Sequence, residues 1–560
     1  MTKPLRILLP TALILAAAFA ESASAQVSYG GTPPSATART KGVVPTQTLA
    51  GLDRSVVVFE DLDQPPKDQP FRFGEPIDVD FTLGNSGVIE ELVDGSRLWR
   101  LRISSRDAVS LNLMFSRYHL PDGAELYLYD DARTTLLGSY NALNNKPDGL
   151  FATEPIFADA INLEYSEPAW VDFTGELRVS QVIHGYRDVR VLFRKSGGGS
   201  FPTTSCEVDV ACPEGLGWEQ QIASVARILN GGSFCTGSLI NNTAQDGTQF
   251  FISAAHCGNL SNAIFYFNYQ NVVCGTFGVG NVGTVHGSQL SVIDGLNDTQ
   301  LVILTEPIPA SYGVYYNGWD ATGATPPNTV TIHHPQGEPK KISKDNDAPV
   351  KSGNSWRILR WDLGATEGGS SGSPLFDPAG RFVGQLWGGL ASCSNPVDDY
   401  YRRFELSYQT LWWALDTAGT GRQVLDGYDP NACGLPTTFG AGEIGSLGTR
   451  AQLGSIGGLP KVGNSSFAVT LTGVLPNVLG IAMAGQGTGT LVRPYGTILI
   501  DYPRFIWSYY MTDATGGYTT HFPVTTGMAG ETWYMQFAAQ DPGFGGGVQL
   551  SDGIEITFCP

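Results

Sequence analysis

An all-β chain of about three domains is what the sequence predicts, on three observations. Short runs of strand character recur along its length, among them residues 98–103, 125–129, 467–471 and 497–500. Glycine-rich breaks divide these runs into three stretches. Six of the eight cysteines fall in the middle stretch, from Cys206 to Cys393, and the other two, Cys433 and Cys559, bracket the last.

The opening residues read as a signal peptide. Lys3 and Arg6 form a positive end, residues 7–20 an apolar run, and Ala23-Ser24-Ala25 a small-residue cleavage site. The run is short for the roughly 20 residues that span a bilayer. Cleavage after Ala25 would leave Gln26 first and deliver a secreted protein. The formal net charge of −19 argues against nucleic acid as a partner.

The stretch 26–195 alternates apolar and polar residues and contains no cysteine, so it reads as a β-rich leader. Residues 195–200, Lys-Ser-Gly-Gly-Gly-Ser, form a flexible linker. The cysteine-bearing stretch, 196–430, follows and ends near Gly427, Asp429 and Pro430. The last stretch, 431–560, is rich in Gly, Thr and Ser and reads as a β-sandwich. Export and an even cysteine count point to disulfides, and no pair has the C-x-x-C spacing of a zinc site. No metal and no cofactor are expected.

Three segments of the middle stretch carry chemistry in a fixed order. They are Ile252-Ser253-Ala254-Ala255-His256-Cys257, then Asn297-Asp298-Thr299-Gln300, then Glu367-Gly368-Gly369-Ser370-Ser371-Gly372-Ser373-Pro374. His, Asp, Ser is the chain order of the chymotrypsin type. A serine hydroxyl is a weak nucleophile and needs an imidazole to take its proton. The imidazole needs a carboxylate to fix its tautomer, and the oxyanion needs backbone amides that a glycine turn can present. These roles fall to Ser371, His256, Asp298 and the amides of Gly369 and Ser371. Taken singly, each segment is an ordinary loop or turn.

With those segments on the page, residues 206–429 resemble the bacterial lysyl endopeptidases, a branch of the trypsin-like serine proteases. Cys206-Glu207-Val208-Asp209-Val210-Ala211-Cys212, Cys235-Thr236-Gly237-Ser238-Leu239-Ile240, Ile332-His333-His334-Pro335 and Gly384-Gln385-Leu386-Trp387-Gly388-Gly389 also carry the match. The resemblance implies a chymotrypsin-like double antiparallel β-barrel with the triad in the cleft between barrels. It implies disulfides Cys206–Cys393, Cys212–Cys274 and Cys235–Cys257, leaving Cys433–Cys559 for the last domain. It implies cleavage after lysine, with protein or peptide substrates, and a leader that acts as folding aid or inhibitor.

The same match places the pocket anion at Asp398, with Asp399 the neighbouring alternative. Trp361 would line the substrate cleft. Trp387, where a family member carries histidine, could stack on Trp361, and Gly388 and Gly389 would form the pocket mouth. Ser370 stands where most trypsins carry the Asp that pairs with a newly cut N-terminus. His333 and His334 are expected to be structural. Cleavage after both Lys and Arg, or a silent binding protein on the same scaffold, are the competing readings. The precursor is expected to cut itself after Lys195, since no other lysine occurs between Lys195 and Lys340 and only Lys461 follows Lys351. Cutting after Arg194 by another protease is the rival.

Overall fold

The computed structural model describes residues 28–37, 40–63, 69–193, 206–430, 432, 434–501, 505–528 and 530–559. The expected cleavage at Ala25, the linker with Lys195, and Cys433 lie outside them. The described residues fall into two compact units, 28–432 and 434–559.

Alternation builds the leader. In the strand Arg97–Ser105, Trp99, Leu101 and Ile103 enter one buried core while Arg100 and Arg102 turn away to Glu90 and Asp131. One leader sheet runs in the order Thr46–Leu49, Arg97–Ser105, Ala160–Glu167, Glu125–Asp130, Leu136–Tyr140, with Val88–Glu91 beside Arg97–Ser105. The other runs Gly74–Thr82, Glu176–Gly185, Ser110–His119, Phe151–Ala152. Leu113, Phe115, Val179 and Val182 of the second sheet share the core with Trp99, Leu101 and Leu128 of the first.

The cysteine-bearing stretch forms two further sheets. The first orders Gly283–His286, Ile264–Phe267, Val225–Asn230, Ser233–Leu239, Phe250–Ala254, Thr299–Leu304 and Ser288–Asp294. A leader strand, Phe71–Arg72, adds to it by pairing antiparallel with Ser233 and Phe234. The second orders Val208–Asp209, Lys341–Asp345, Thr329–His333, Pro374–Phe376, Phe382–Gly389, Val397–Arg403, Ser355–Arg360 and Val350–Ser352. Each curls around its own apolar core, Phe251, Phe265 and Val302 in one, Trp356, Ile358 and Leu386 in the other. A third cluster joins Ile252 and Leu301 of the first sheet to Trp319 and Phe382 of the second. The helix Phe404–Leu415 closes that cluster with Phe404, Leu411 and Leu415. This is the chymotrypsin-like arrangement, all-β with a cleft between two barrels.

Three disulfides fasten the stretch: Cys206–Cys393, Cys212–Cys274 and Cys235–Cys257. The first closes a loop of 187 residues, the kind of long closure that removes most freedom from the unfolded chain.

In the other unit a five-stranded sheet orders Thr437–Phe439, Val548–Thr557, Thr532–Gln540, Leu479–Gly485 and Ile506–Met511. A three-stranded sheet, Gln452–Ile456, Ala468–Thr472, Tyr518–His521, faces it. Leu453, Val469 and Leu471 interlock with Phe537, Ile554 and Ile556 between them, which makes a β-sandwich. Among the described residues no helix is long and apolar enough to cross a membrane.

Candidate active site

His256 sits where the strand Phe250–Ala254 breaks into the short turn Ala255–Cys257. Cys257 is bonded to Cys235 on the neighbouring strand, so the turn has a covalent anchor one residue from the imidazole. Asp298 precedes the strand Thr299–Leu304, which pairs with Phe250–Ala254 so that Thr299 lies opposite Ala254. Its φ of +48° turns the carboxylate back toward the histidine. Asp298 Oδ2 lies 2.7 Å from His256 Nδ1, and Oδ1 accepts the His256 backbone N–H at 2.9 Å. A carboxylate at Nδ1 assigns the proton there and leaves Nε2 as the basic atom. Nε2 is buried and has no hydrogen-bond partner.

The carboxylate is itself held. The Asp298 carbonyl accepts from the Ala255 N–H at 3.0 Å and from Gln385 Nε2 at 3.2 Å. Gln385 Nε2 also donates to Thr299 Oγ1 at 2.5 Å. Gln385 stands in the quoted Gly-Gln-Leu stretch, yet nothing local to the sequence marks it as a support for Asp298.

Ser371 lies between two glycines that no other residue could replace without movement. At Gly369, φ is +91° and an added Cβ would lie 2.9 Å from the His334 carbonyl oxygen. At Gly372, φ is +81° and a Cβ would lie 2.4 Å from the Thr236 carbonyl oxygen. The Ser371 carbonyl accepts from the Thr236 N–H at 2.9 Å, which fastens the turn to the first barrel. Its hydroxyl donates to the carbonyl oxygen of leader residue Gln69 at 3.4 Å. The structure thus joins His256 to Asp298 and directs Ser371 Oγ to the leader.

Ser370, which stands where most trypsins carry Asp, is bound to a histidine. Its hydroxyl lies 2.8 Å from His333 Nδ1, and His333 Nε2 lies 3.0 Å from Ser343 Oγ. Ser343 Oγ donates in turn to the Ala365 carbonyl at 3.0 Å. His333 therefore ties the residue before Ser371 to the second barrel. His334 is also buried, lies 2.8 Å through Nδ1 from the Glu338 carbonyl oxygen, and is held well below the ordinary imidazole range chiefly by burial.

Asp398 and Asp399 are turned in different directions, and at Asp398 a φ of +65° breaks the regular strand alternation. Asp398 accepts from Arg357 Nε at 2.8 Å and Nη2 at 2.5 Å on the partly exposed side. Asp399 is 0 % exposed, and its Oδ2 accepts from Trp361 Nε1 at 2.8 Å and from Thr366 Oγ1 at 2.6 Å. Thr366 lies five residues before Ser371, so Asp399 sits behind the wall that leads to the nucleophile. Gly389 pairs with Asp399, and a Cβ there would lie 2.4 Å from Asp399 Oδ1. Sequence comparison favoured Asp398; the structure commits that side chain to Arg357 and buries its neighbour. Thr366 was missed, and its only signal was proximity to the serine turn.

Trp361 and Trp387 have different neighbours and do not form the stacked pair the resemblance allowed. Trp361 is buried against Tyr401 and Asp399. Trp387 lies with Arg402 over its ring, 4.2 Å from the centroid, and edge-on to Tyr400. The register shifts between Leu386 and Gly388, and such a bulge re-aims the residue inside it.

Two groups could suggest metal ligation. Cys206 and Cys393 beside Glu207 are bonded to each other, so neither offers a thiolate. Asp345, Asp347 and Asp362 converge, with Asp345 pushed up to about 6 chiefly by burial. Two adjacent lysines are also buried: Lys340 Nζ donates to the Ile222 carbonyl, and Lys341 Nζ to Asp209 Oδ1 at 2.7 Å. Burial holds Lys340 down to about 7.

Residues 202–402 match the family described as "Lysyl endopeptidase, C-terminal domain". The lysyl endopeptidase of Pseudomonas aeruginosa is 31% identical over 369 residues, spanning 57% of this chain and 75% of that protein. Solved structures with a more distant likeness include human heparin binding protein (17% identity, 40% of this chain and 97% of that one, TM-score 0.26). A Glu endopeptidase is 16% identical over 39% of this chain and 96% of its own, also with a TM-score of 0.26. Since the match to the Pseudomonas aeruginosa enzyme runs through three-quarters of that protein, this chain belongs to the lysyl endopeptidase family and is a serine endopeptidase.

Proposed function

We propose that this chain is a secreted endopeptidase that cuts on the C-terminal side of lysine, and that it matures by cutting its own precursor after Lys195. The observation that carries the reading is the His256–Asp298 contact at 2.7 Å beside the Gly369–Gly372 turn. Once substrate displaces the leader, Ser371 Oγ attacks the carbonyl carbon and its proton passes to His256 Nε2. Asp298 holds the proton on Nδ1 and stabilises the imidazolium that forms. The amides of Gly369 and Ser371 take the oxyanion. The imidazolium then protonates the leaving nitrogen as the C–N bond breaks, and water repeats the sequence on the acyl-enzyme.

Asp399, rather than Asp398, is the anion for the lysine ammonium. It is buried, fixed by Trp361 and Thr366, and approached over glycine at 389. A buried ammonium needs a buried counter-charge, which the enclosed Asp399 supplies better than the partly exposed Asp398.

Digestion of a denatured protein of known sequence, with every new C-terminus identified, tests the specificity. Ends at lysine alone are expected; ends at arginine in comparable number would refute strict selection. For maturation, the Ser371→Ala precursor should stay uncut alone and be cut in trans by active enzyme to begin at Ser196. Unaided maturation of that variant would refute self-processing.

A further inference from the structure

Residues 69–72 of the leader lie along the cleft in the register of the leaving half of a substrate. Ser371 Oγ lies 3.4 Å from the Gln69 carbonyl oxygen. Two residues on, Phe71 pairs with Phe234, and Arg72 pairs with Ser233. On the enzyme side, Thr236, which binds the Ser371 carbonyl, is two residues from Phe234. Both strands therefore advance two residues, each rising about 3.3 Å, from the same point at the nucleophile. The chain direction makes Gln69 the residue before the bond and Pro70 the residue after it.

We infer that the strand edge at Ser233 and Phe234 is a subsite for the second residue beyond the cleaved bond, selective for an aromatic side chain, and that residues 69–72 of the leader occupy it as an uncleavable stand-in for the leaving half of a substrate. The inference rests on the assignment of Ser371 as nucleophile. Phe71 lies nearly parallel to Phe234, ring centroids 6.4 Å apart at 19°, and joins an apolar cluster with Phe73 and Leu229. Arg187 of the leader lies on Phe71, 5.2 Å from its centroid. The stretch beyond is anchored as well, Phe73 and Gly74 donating to the Gly232 carbonyl at 2.8 and 3.0 Å.

Three features keep the Gln69–Pro70 bond whole. Glutamine brings no ammonium for Asp399. Proline fixes φ and puts a ring carbon on the leaving nitrogen, where a cleavable substrate has an N–H. Ser371 Oγ lies 3.4 Å from the carbonyl oxygen and makes no hydrogen bond to His256 Nε2, which must receive its proton.

The leader itself supplies the test. In the full-length chain, Gln69→Lys together with Pro70→Ser should turn the stand-in into a substrate, so that N-terminal sequencing finds a new end at position 70. The rate should not depend on protein concentration, because the bond is cut within its own molecule. Lys67, two residues upstream, is the control, and cutting after it should be at least about tenfold slower. Equal cutting after Lys67, or a rate proportional to concentration, overturns the register. The secreted mature enzyme should also cleave Lys-Ala-Phe peptides about tenfold faster, in kcat/KM, than Lys-Ala-Ala peptides. Equal rates overturn the subsite. A double variant that stays whole at position 69 yet hydrolyses a small lysine ester overturns the inference alone. One that hydrolyses nothing, and whose parent also hydrolyses nothing, overturns the nucleophile assignment and the inference with it.

Discussion

Replacing Asp399 by asparagine isolates the charge of the pocket from its shape. The amide oxygen can still accept from Trp361 Nε1 and Thr366 Oγ1, which hold the present carboxylate at 2.8 and 2.6 Å. What disappears is a negative charge with no solvent exposure. Breaking a buried pair by removing one partner costs about 3–5 kcal/mol. At about 1.4 kcal/mol per decade, kcat/KM for a lysyl substrate should fall roughly 10²- to 4 × 10³-fold. The assay compares peptides with lysine before the scissile bond with the same peptides carrying norleucine there, which keeps the stem and lacks the ammonium. The lysine preference should collapse while norleucine cleavage changes less than about threefold, and labelling of Ser371 by an organophosphorus reagent should keep its rate. Asp398→Asn breaks only a solvent-screened pair with Arg357 and should alter the ratio less than about threefold. The assignment is wrong if the Asp398 variant loses lysine preference and the Asp399 variant keeps it.

Asp298→Asn should lower kcat by about 10⁴ with the fold intact, because an amide can present its N–H to Nδ1 and select the wrong tautomer; a loss under about tenfold would remove Asp298 from the chemistry. His333→Ala should lower kcat about 10- to 100-fold and leave KM within about threefold, since it frees Ser370 from the second barrel and loosens the amides beside it. His333→Gln, which can still reach one of the two serines, should recover part of that loss; equal defects in both variants would make the histidine mere packing. Lys340→Met should stabilise the protein, tested by denaturant unfolding in the inactive Ser371→Ala chain. The folded lysine is held down to about 7 from an ordinary 10.5, so between those values the unfolded chain binds the extra proton and stability rises with pH. Below pH 7 the penalty is complete, about 3–5 kcal/mol, so the gain from Met should be large at pH 6 and small at pH 10.5; equal gains at both would show that the lysine is not held neutral.

Strand pattern was legible wherever one face is wet. Residues 98–103 and 125–129 fall within Arg97–Ser105 and Glu125–Asp130 because alternation survives in the sequence. The helix Phe404–Leu415 gave no such signal: Trp412 and Trp413 face solvent, so its outer side is apolar too and the period is blurred. His256 and Asp298 were singled out by order, and their contact follows from the pairing of Ala254 with Thr299, a non-local fact. The choice between Asp398 and Asp399 could not be read at all. Neighbours on a strand point oppositely, and which one faces inward depends on the bulge between Leu386 and Gly388. The meeting of Phe71 with Phe234 is longer in range still, and neither sequence segment hints at the other.

The burial of Lys340 and Lys341 sets how long such an enzyme can survive its own company. If it reads lysine, as proposed, the protease meets other copies of itself at every collision, and its durability depends on which of its lysines can be drawn out as an extended strand. Lys340 and Lys341 are 0 % and 1 % exposed, at the head of a strand paired on both edges, and cannot enter a cleft until that sheet opens. Self-digestion at these two positions is therefore gated by a local unfolding equilibrium, and its rate reports the opening free energy of the second barrel. Lys351, exposed on the edge strand Val350–Ser352, is held by one neighbouring strand only and by its Nζ donating to the Gly323 carbonyl at 2.8 Å. It therefore opens more easily and is the place within this barrel for an early nick. A stock of the enzyme would then age by a clipped hairpin before its barrels fail.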